Sequence, residues 1–236
     1  MLAISLGASA VYSVVSLVAK LTAERPLNQQ TATLNPSIAP SRPWLDLTYQ
    51  LLGVVFAVVP ALFAVHLLQK DPGDARGTLG LDLKRPLFDL GTGAGLAAVI
   101  GIPGLALYVA ARNLGLNATV VPAALPEIWW AVPVLVLAAA QNAILEEFVV
   151  VGYLLTRLRE LGWSARSAIV ASAVLRGTYH LYQGVGAGVG NLIMGLVFGW
   201  FFTRTRRVLP LVVAHTILDV VSFVGYALLK DHLSFL

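Results

Sequence analysis

Apolar runs about 20 residues long recur along the whole chain, and a helix of that length crosses the roughly 30 Å hydrocarbon layer of a bilayer. Seven such runs can be drawn, at 2–22, 45–68, 88–111, 129–156, 165–183, 187–203 and 208–229. Hydrocarbon offers no partner to a backbone N–H or C=O, so chain segments of this kind span it as helices. The expected fold class is therefore all-α, a polytopic transmembrane helical bundle of about seven spans. Composition agrees: the chain is 58% hydrophobic and 12% charged, against about 25% charged in ordinary soluble domains.

The polar stretches between the runs set the topology. Segment 23–43, "AERPLNQQTATLNPSIAPSRP", reads as an external loop, and 69–87, "QKDPGDARGTLGLDLKRPL", as a second loop on the other side. Cytoplasmic loops collect Lys and Arg. One side holds Lys70, Arg76, Lys84, Arg85, Arg157, Arg159, Arg166, Arg204, Arg206 and Arg207; the other holds Lys20, Arg25, Arg42, Arg112 and Lys230. That imbalance places the N-terminus in the cytoplasm and the C-terminus outside, in a multi-pass protein of the cell membrane. The net charge of +4 belongs to these loops, and nucleic acid is excluded as a partner. No basic stretch precedes the first run, so 2–22 is expected to stay in place as a helix rather than to be cleaved.

The chain has no cysteine, which removes disulfides, thiolate nucleophiles and Cys-based zinc sites. "GTGAGL" at 91–96 lacks the third glycine and the preceding strand of a dinucleotide loop. Gly91 with Gly95, and Gly195 with Gly199, are expected to pack helices closely, and "GVGAGVG" at 184–190 to form a tight connection. "NAT" at 117–119 is a chance match to a glycosylation acceptor. His66 reads as interfacial and His232 as part of an exposed tail, 230–236.

Six ionisable groups lie deep within the runs, away from their ends: Glu146, Glu147, Arg176, His180, His215 and Asp219, in the fourth, fifth and seventh spans. Each costs roughly 2.5–3.5 kcal/mol at the bilayer centre on the insertion scale, so such groups mark function by default. Counting about 1.5 Å per residue from the basic span ends places all six in one slab about 10 Å thick. Arg176 and His180 are four apart, as are His215 and Asp219, so each pair shares a helix face. Glu146 and Glu147 point about 100° apart, so one faces a shared cavity and the other a neighbouring helix. Interhelical glue, an ion or proton path, and a hydrolytic site are all compatible with such a set.

The segments "EEFVVVGYLLTRLRELGWS", "ASAVLRGTYHLYQG" and "PLVVAHTILDVV" resemble the three motifs of the CPBP family, which includes type II CAAX prenyl endopeptidases and bacteriocin self-immunity proteins. The family pattern is Glu-Glu-x-x-x-Arg, then Phe-x-x-x-His, then His-x-x-x-Asn or Asp. The resemblance covers 129–229, which it implies is a catalytic core behind N-terminal helices and loops at 1–128. Two positions depart from the pattern: Val151 stands where the arginine belongs, and Arg176 where the phenylalanine belongs. Arg176 is expected to replace the missing charge beside Glu147.

The resemblance implies an intramembrane endopeptidase acting on a membrane-associated peptide, CAAX-type and prenylated in the best-known members. Glu146 would be the general base with His180 assisting, His215 would stabilise the oxyanion, and Asp219 would orient His215. Glu147 and Arg176 would support them. Glu146, His180, His215 and Asp219 also form an oxygen and nitrogen set compatible with Zn2+, although a metal-free glutamate mechanism with no cofactor is the preferred expectation. The implied partners are membrane lipid and the peptide substrate. A non-catalytic or ion-handling protein of the immunity type is the alternative.

Overall fold

The computed structural model describes residues 2–71, 73–82 and 84–229. The expected tail at 230–236, with Lys230 and His232, lies outside them. The helices are α1 (Leu6–Leu21), α2 (Pro43–Lys70), α3 (Ala75–Leu79), α4 (Pro86–Asn113), α5 (Ala131–Glu146), α6 (Leu154–Glu160), α7 (Ala165–Tyr179), α8 (Val185–Thr205) and α9 (Leu209–Leu229). A π-helical segment, Glu147–Tyr153, joins α5 to α6. Proline opens α2 and α4, where its missing N–H costs nothing.

The chain is an all-α membrane bundle, and helices stand at all seven expected places. Five are long and apolar enough to cross a membrane: Pro43–Lys70, Pro86–Asn113, Ala131–Glu160, Val185–Thr205 and Leu209–Leu229. The first and fifth expected spans are shorter. The 16 residues of α1 and the 15 of α7 measure about 24 and 22 Å at the α-helical rise. The fifth stops early because the chain reverses at Gly184, whose φ of +127° suits a residue without a Cβ.

The glycine-rich stretch after Gly184 is already the first turn and a half of α8, not a connection. A Cβ on Gly186 would lie 2.4 Å from that of Ala111, and one on Gly188 would lie 2.6 Å from Leu181 Cδ2. In α4, the glycines that allow close approach are Gly93 against Val213 and Gly101 against Leu218, while Gly91 and Gly95 face open space. The phase of the helix, not the four-residue spacing, decides which glycines meet a neighbour. Gly195 does meet one: a Cβ there would sit 2.8 Å from Ala173 Cα.

One end of the bundle gathers the basic residues and is braced by them. Arg207 is buried between α8 and α9, with Nε and Nη2 on the two oxygens of Asp89 at 2.8 and 2.7 Å and Nη1 on Asp82 Oδ1 at 2.9 Å. Arg157 ties α6 to the end of α2 through Leu67 O and Asp71 O. At the other end the 23–43 loop is folded against the bundle. Its strand β1 (Thr31–Thr33) pairs in parallel with β2 (Thr119–Val121). Asp46 accepts from Ser37 Oγ and from the backbone N–H groups of Ile38 and Ala39. Asn117 is buried, and its Oδ1 accepts from Ala187 N, so the apparent glycosylation acceptor is a structural side chain.

Candidate functional site

The two adjacent glutamates sit where the fourth helix changes character. Glu146 ends α5 and Glu147 begins the π-helical turn. A wider turn rotates successive residues by less than an α-helix does, and π-turns concentrate at functional sites. Ser172 of α7 donates to Val150 O at 2.8 Å, and Thr156 donates to Gly152 O at 2.7 Å, so side chains serve the backbone groups of the distorted turn. A Cβ on Gly152 would meet Leu79 Cδ2 at 2.5 Å, so α3 packs directly against it.

Glu147 is fully buried and holds two helices together. Its Oε1 accepts from Arg176 Nη2 of α7 at 2.5 Å and lies 2.7 Å from His215 Nδ1 of α9. Arg176 is itself fully buried, 3.8 Å from Glu146 Oε2, with its guanidinium carbon 5.5 Å from the centre of the Phe198 ring. A cation over an aromatic face is favourable in a desolvated place. Glu146 is partly exposed, its side chain 12% accessible, and its Oε2 accepts from the Tyr179 hydroxyl at 2.7 Å.

Glu146, Glu147 and His215 therefore converge, with one donor atom from each within 4.8 Å of the others. Arg176 and Tyr179 complete the inner group. His180 and Asp219 stand farther out, within electrostatic reach of Glu146. His180 does not continue a helix face with Arg176; it caps the end of α7, with its Nδ1 3.0 Å from Arg176 O and its ring tilted over that of Tyr179. Asp219 Oδ1 is 3.7 Å from His215 Nε2 and its other oxygen accepts from Asn142 at 3.3 Å. The nitrogen of His215 that is hydrogen-bonded is Nδ1, and its partner is Glu147. Asp219, expected to accept from the His215 ring, lies at ion-pair distance from its other nitrogen. His66 is exposed on α2 beside Phe63, away from this group.

Sequence reasoning missed Tyr179 and Asn142. Neither ionises at neutral pH, so neither stood out in an apolar run; the adjacency of Tyr179 to His180 was the available signal.

The acidic and imidazole donors gather as a different set from the one expected for zinc. Among the described residues the acidic and imidazole donors that gather within 4.8 Å are Glu146, Glu147 and His215, not the expected Glu146, His180, His215 and Asp219. Two of those three already serve each other, and the guanidinium of Arg176 occupies the place beside Glu147 where a dication would be repelled.

A family model described as type II CAAX prenyl endopeptidase Rce1-like matches residues 128–221. That segment is similar to the type II CAAX prenyl endopeptidases. No curated protein and no solved structure matches the chain. The Rce1-like segment contains every residue of the inner group, whereas α1, α2 and α4 lie outside the match. Within it, Val151 is fully buried and the charge its position lacks is supplied across the helix interface by Arg176. The extra bulk of an arginine at 176 is accommodated by Gly195 of α8, where a Cβ would come within 3.4 Å of Arg176 Cδ.

Proposed function

We propose that the chain is an intramembrane endopeptidase that hydrolyses a membrane-anchored, CAAX-type peptide with a water activated by Glu146. The observation that carries this reading is the division of labour between the two glutamates. Glu147 is neutralised and locked by Arg176 and His215, while Glu146 stays partly exposed with its Oε2 on the Tyr179 hydroxyl. Glu146 removes a proton from water as the oxygen attacks the scissile carbonyl, and returns that proton to the leaving amine when the C–N bond breaks. A positioned base of this kind contributes about 10²- to 10⁴-fold.

Glu147 holds Nδ1 of His215, so Nε2 of the protonated ring is the donor aimed at the carbonyl oxygen as it becomes an oxyanion. His180, next along the wall from Tyr179, assists in handling the water proton. Tyr179 fixes Oε2 of Glu146, which leaves Oε1 for the water. Asp219, held by Asn142, stands 3.7 Å from Nε2 of His215. The basic end of the bundle faces the cytoplasm of the cell membrane, with the N-terminus inside. No metal takes part in this scheme.

The test uses purified protein in lipid vesicles and a farnesylated CAAX peptide whose C-terminal tripeptide is released on cleavage. Glu146→Gln is expected to lose release while melting like the wild type, and a zinc chelator is expected to leave the rate unchanged. Release by Glu146→Gln at the wild-type rate would remove Glu146 from the mechanism.

A further inference from the structure

At the basic end of the bundle a small cavity of about 110 Å³ opens between α6, the start of α7 and the end of α8. Its floor is apolar, made by the buried side chains of Leu155 and Phe202, and its rim carries Arg159, Thr203 and Arg206. This cavity is far from the catalytic group, which lies about two turns deeper along the same helices.

The arginines at this end of the bundle differ in their partners. Arg157 and Arg207 have carboxylate partners. Arg159 and Arg206, the two that line the cavity, are exposed and have no carboxylate partner among the described residues. Arg159 is positioned by donating from Nη1 to Trp163 O. Arg206 stands in the left-handed region, with φ of 55° and ψ of 33°, the one non-glycine described residue with a positive φ. A glycine is the usual residue at such a helix end. The left-handed turn sends neighbouring arginines opposite ways: Arg207 inward to Asp82 and Asp89, Arg206 outward to the cavity rim.

The surroundings place the cavity at headgroup depth. Trp163, whose carbonyl Arg159 holds, and Trp200 of α8 are 44% and 54% exposed, and tryptophan collects at the membrane–water interface. Ala165 opens α7 at the cavity wall, so the positive end of that helix adds to the two guanidinium groups. The volume is below the roughly 300–1,000 Å³ of pockets that enclose a whole small molecule. It suits one anionic group whose apolar remainder lies outside, along the lipid-facing side of α6 and α8. Basic pockets between transmembrane helices on the cytoplasmic side take anionic lipid headgroups.

We propose that Arg159 and Arg206 form a specific site for the phosphate headgroup of an anionic phospholipid, seated on Leu155 and Phe202. The site is structural and regulatory in placement, since it clamps the end of the helix that carries the two glutamates to the ends of α7 and α8.

The test is retention of phosphatidylglycerol by the full chain in phosphatidylcholine nanodiscs, read by native mass spectrometry. At about fivefold per arginine, Arg159→Gln with Arg206→Gln is expected to weaken retention about 25-fold. Arg166→Gln with Arg204→Gln removes the same charge outside the cavity lining and is expected to weaken retention clearly less than the first variant. Inorganic phosphate, which lacks chains, is expected not to displace the lipid. Wild-type retention by the first variant overturns the proposal. So does equal weakening by the second, which would mean diffuse charge, or displacement by inorganic phosphate, which would mean a free-anion site.

Discussion

Arg176→Met tests whether the arginine that departs from the family pattern neutralises Glu147. Arg176 Nη2 is 2.5 Å from Glu147 and 3.8 Å from Glu146. At an effective dielectric constant of about 20, Coulomb's law gives roughly 6–7 and 4 kcal/mol of attraction. Much of that offsets the desolvation of the ions, several kcal/mol each. Methionine keeps much of the volume but leaves the Glu147 carboxylate buried without its guanidinium partner, with His215 alone beside it. Breaking a buried pair in this way costs about 3–5 kcal/mol. Adding Glu147→Gln removes the orphaned charge, so the double variant is expected to regain more than half of the loss. The assay is reversible unfolding in mixed micelles followed by far-UV circular dichroism, for the wild type, both single variants and the double. A loss below about 1 kcal/mol for Arg176→Met, or additive losses in the cycle, would refute the assignment of Arg176 as the charge partner of Glu147.

Two further outcomes are expected. Tyr179→Phe deletes one hydrogen bond to a carboxylate, worth about 1.5–3 kcal/mol, and should slow peptide release roughly 10- to 150-fold by that measure while Glu146→Gln gains no further loss from it. Arg207→Lys cannot reproduce the fork on Asp89 and should destabilise the bundle by roughly 1.5–3 kcal/mol in the same unfolding assay. The hydrogen bond from Arg207 holds the Asp82 carboxyl below the usual carboxylate range. Its contribution is therefore present above the unfolded pKa, about 3.9, and disappears as pH falls through the lower folded value. Melting of the wild type below pH about 4 should show this loss, and Asp82→Asn should remove that part of the pH dependence.

The order of helices and the polar loops between them were legible in the sequence because each depends on local hydropathy. A residue's solvent, lipid or water, is averaged over a whole helix, so a run of 20 apolar side chains declares itself without reference to its neighbours. The pairing of Arg176 with Glu147 was also within reach, since a charge missing at 151 and an unexpected charge at 176 had to compensate at similar depth.

What only the tertiary structure decided is phase and partner. The π-turn at Glu147–Tyr153 leaves no trace in the hydropathy pattern, yet it sets the directions of Glu146 and Glu147. The partner of His215 Nδ1 is Glu147 from another helix rather than Asp219 from its own, and Gly93 rather than Gly91 or Gly95 packs against α9. Tyr179 reaches Glu146 across an interface between residues 33 positions apart. Hydropathy records how deep a side chain lies, but a hydrogen bond depends on direction to within a few tenths of an ångström. That direction is set by how helices distant in sequence rotate and stop against one another.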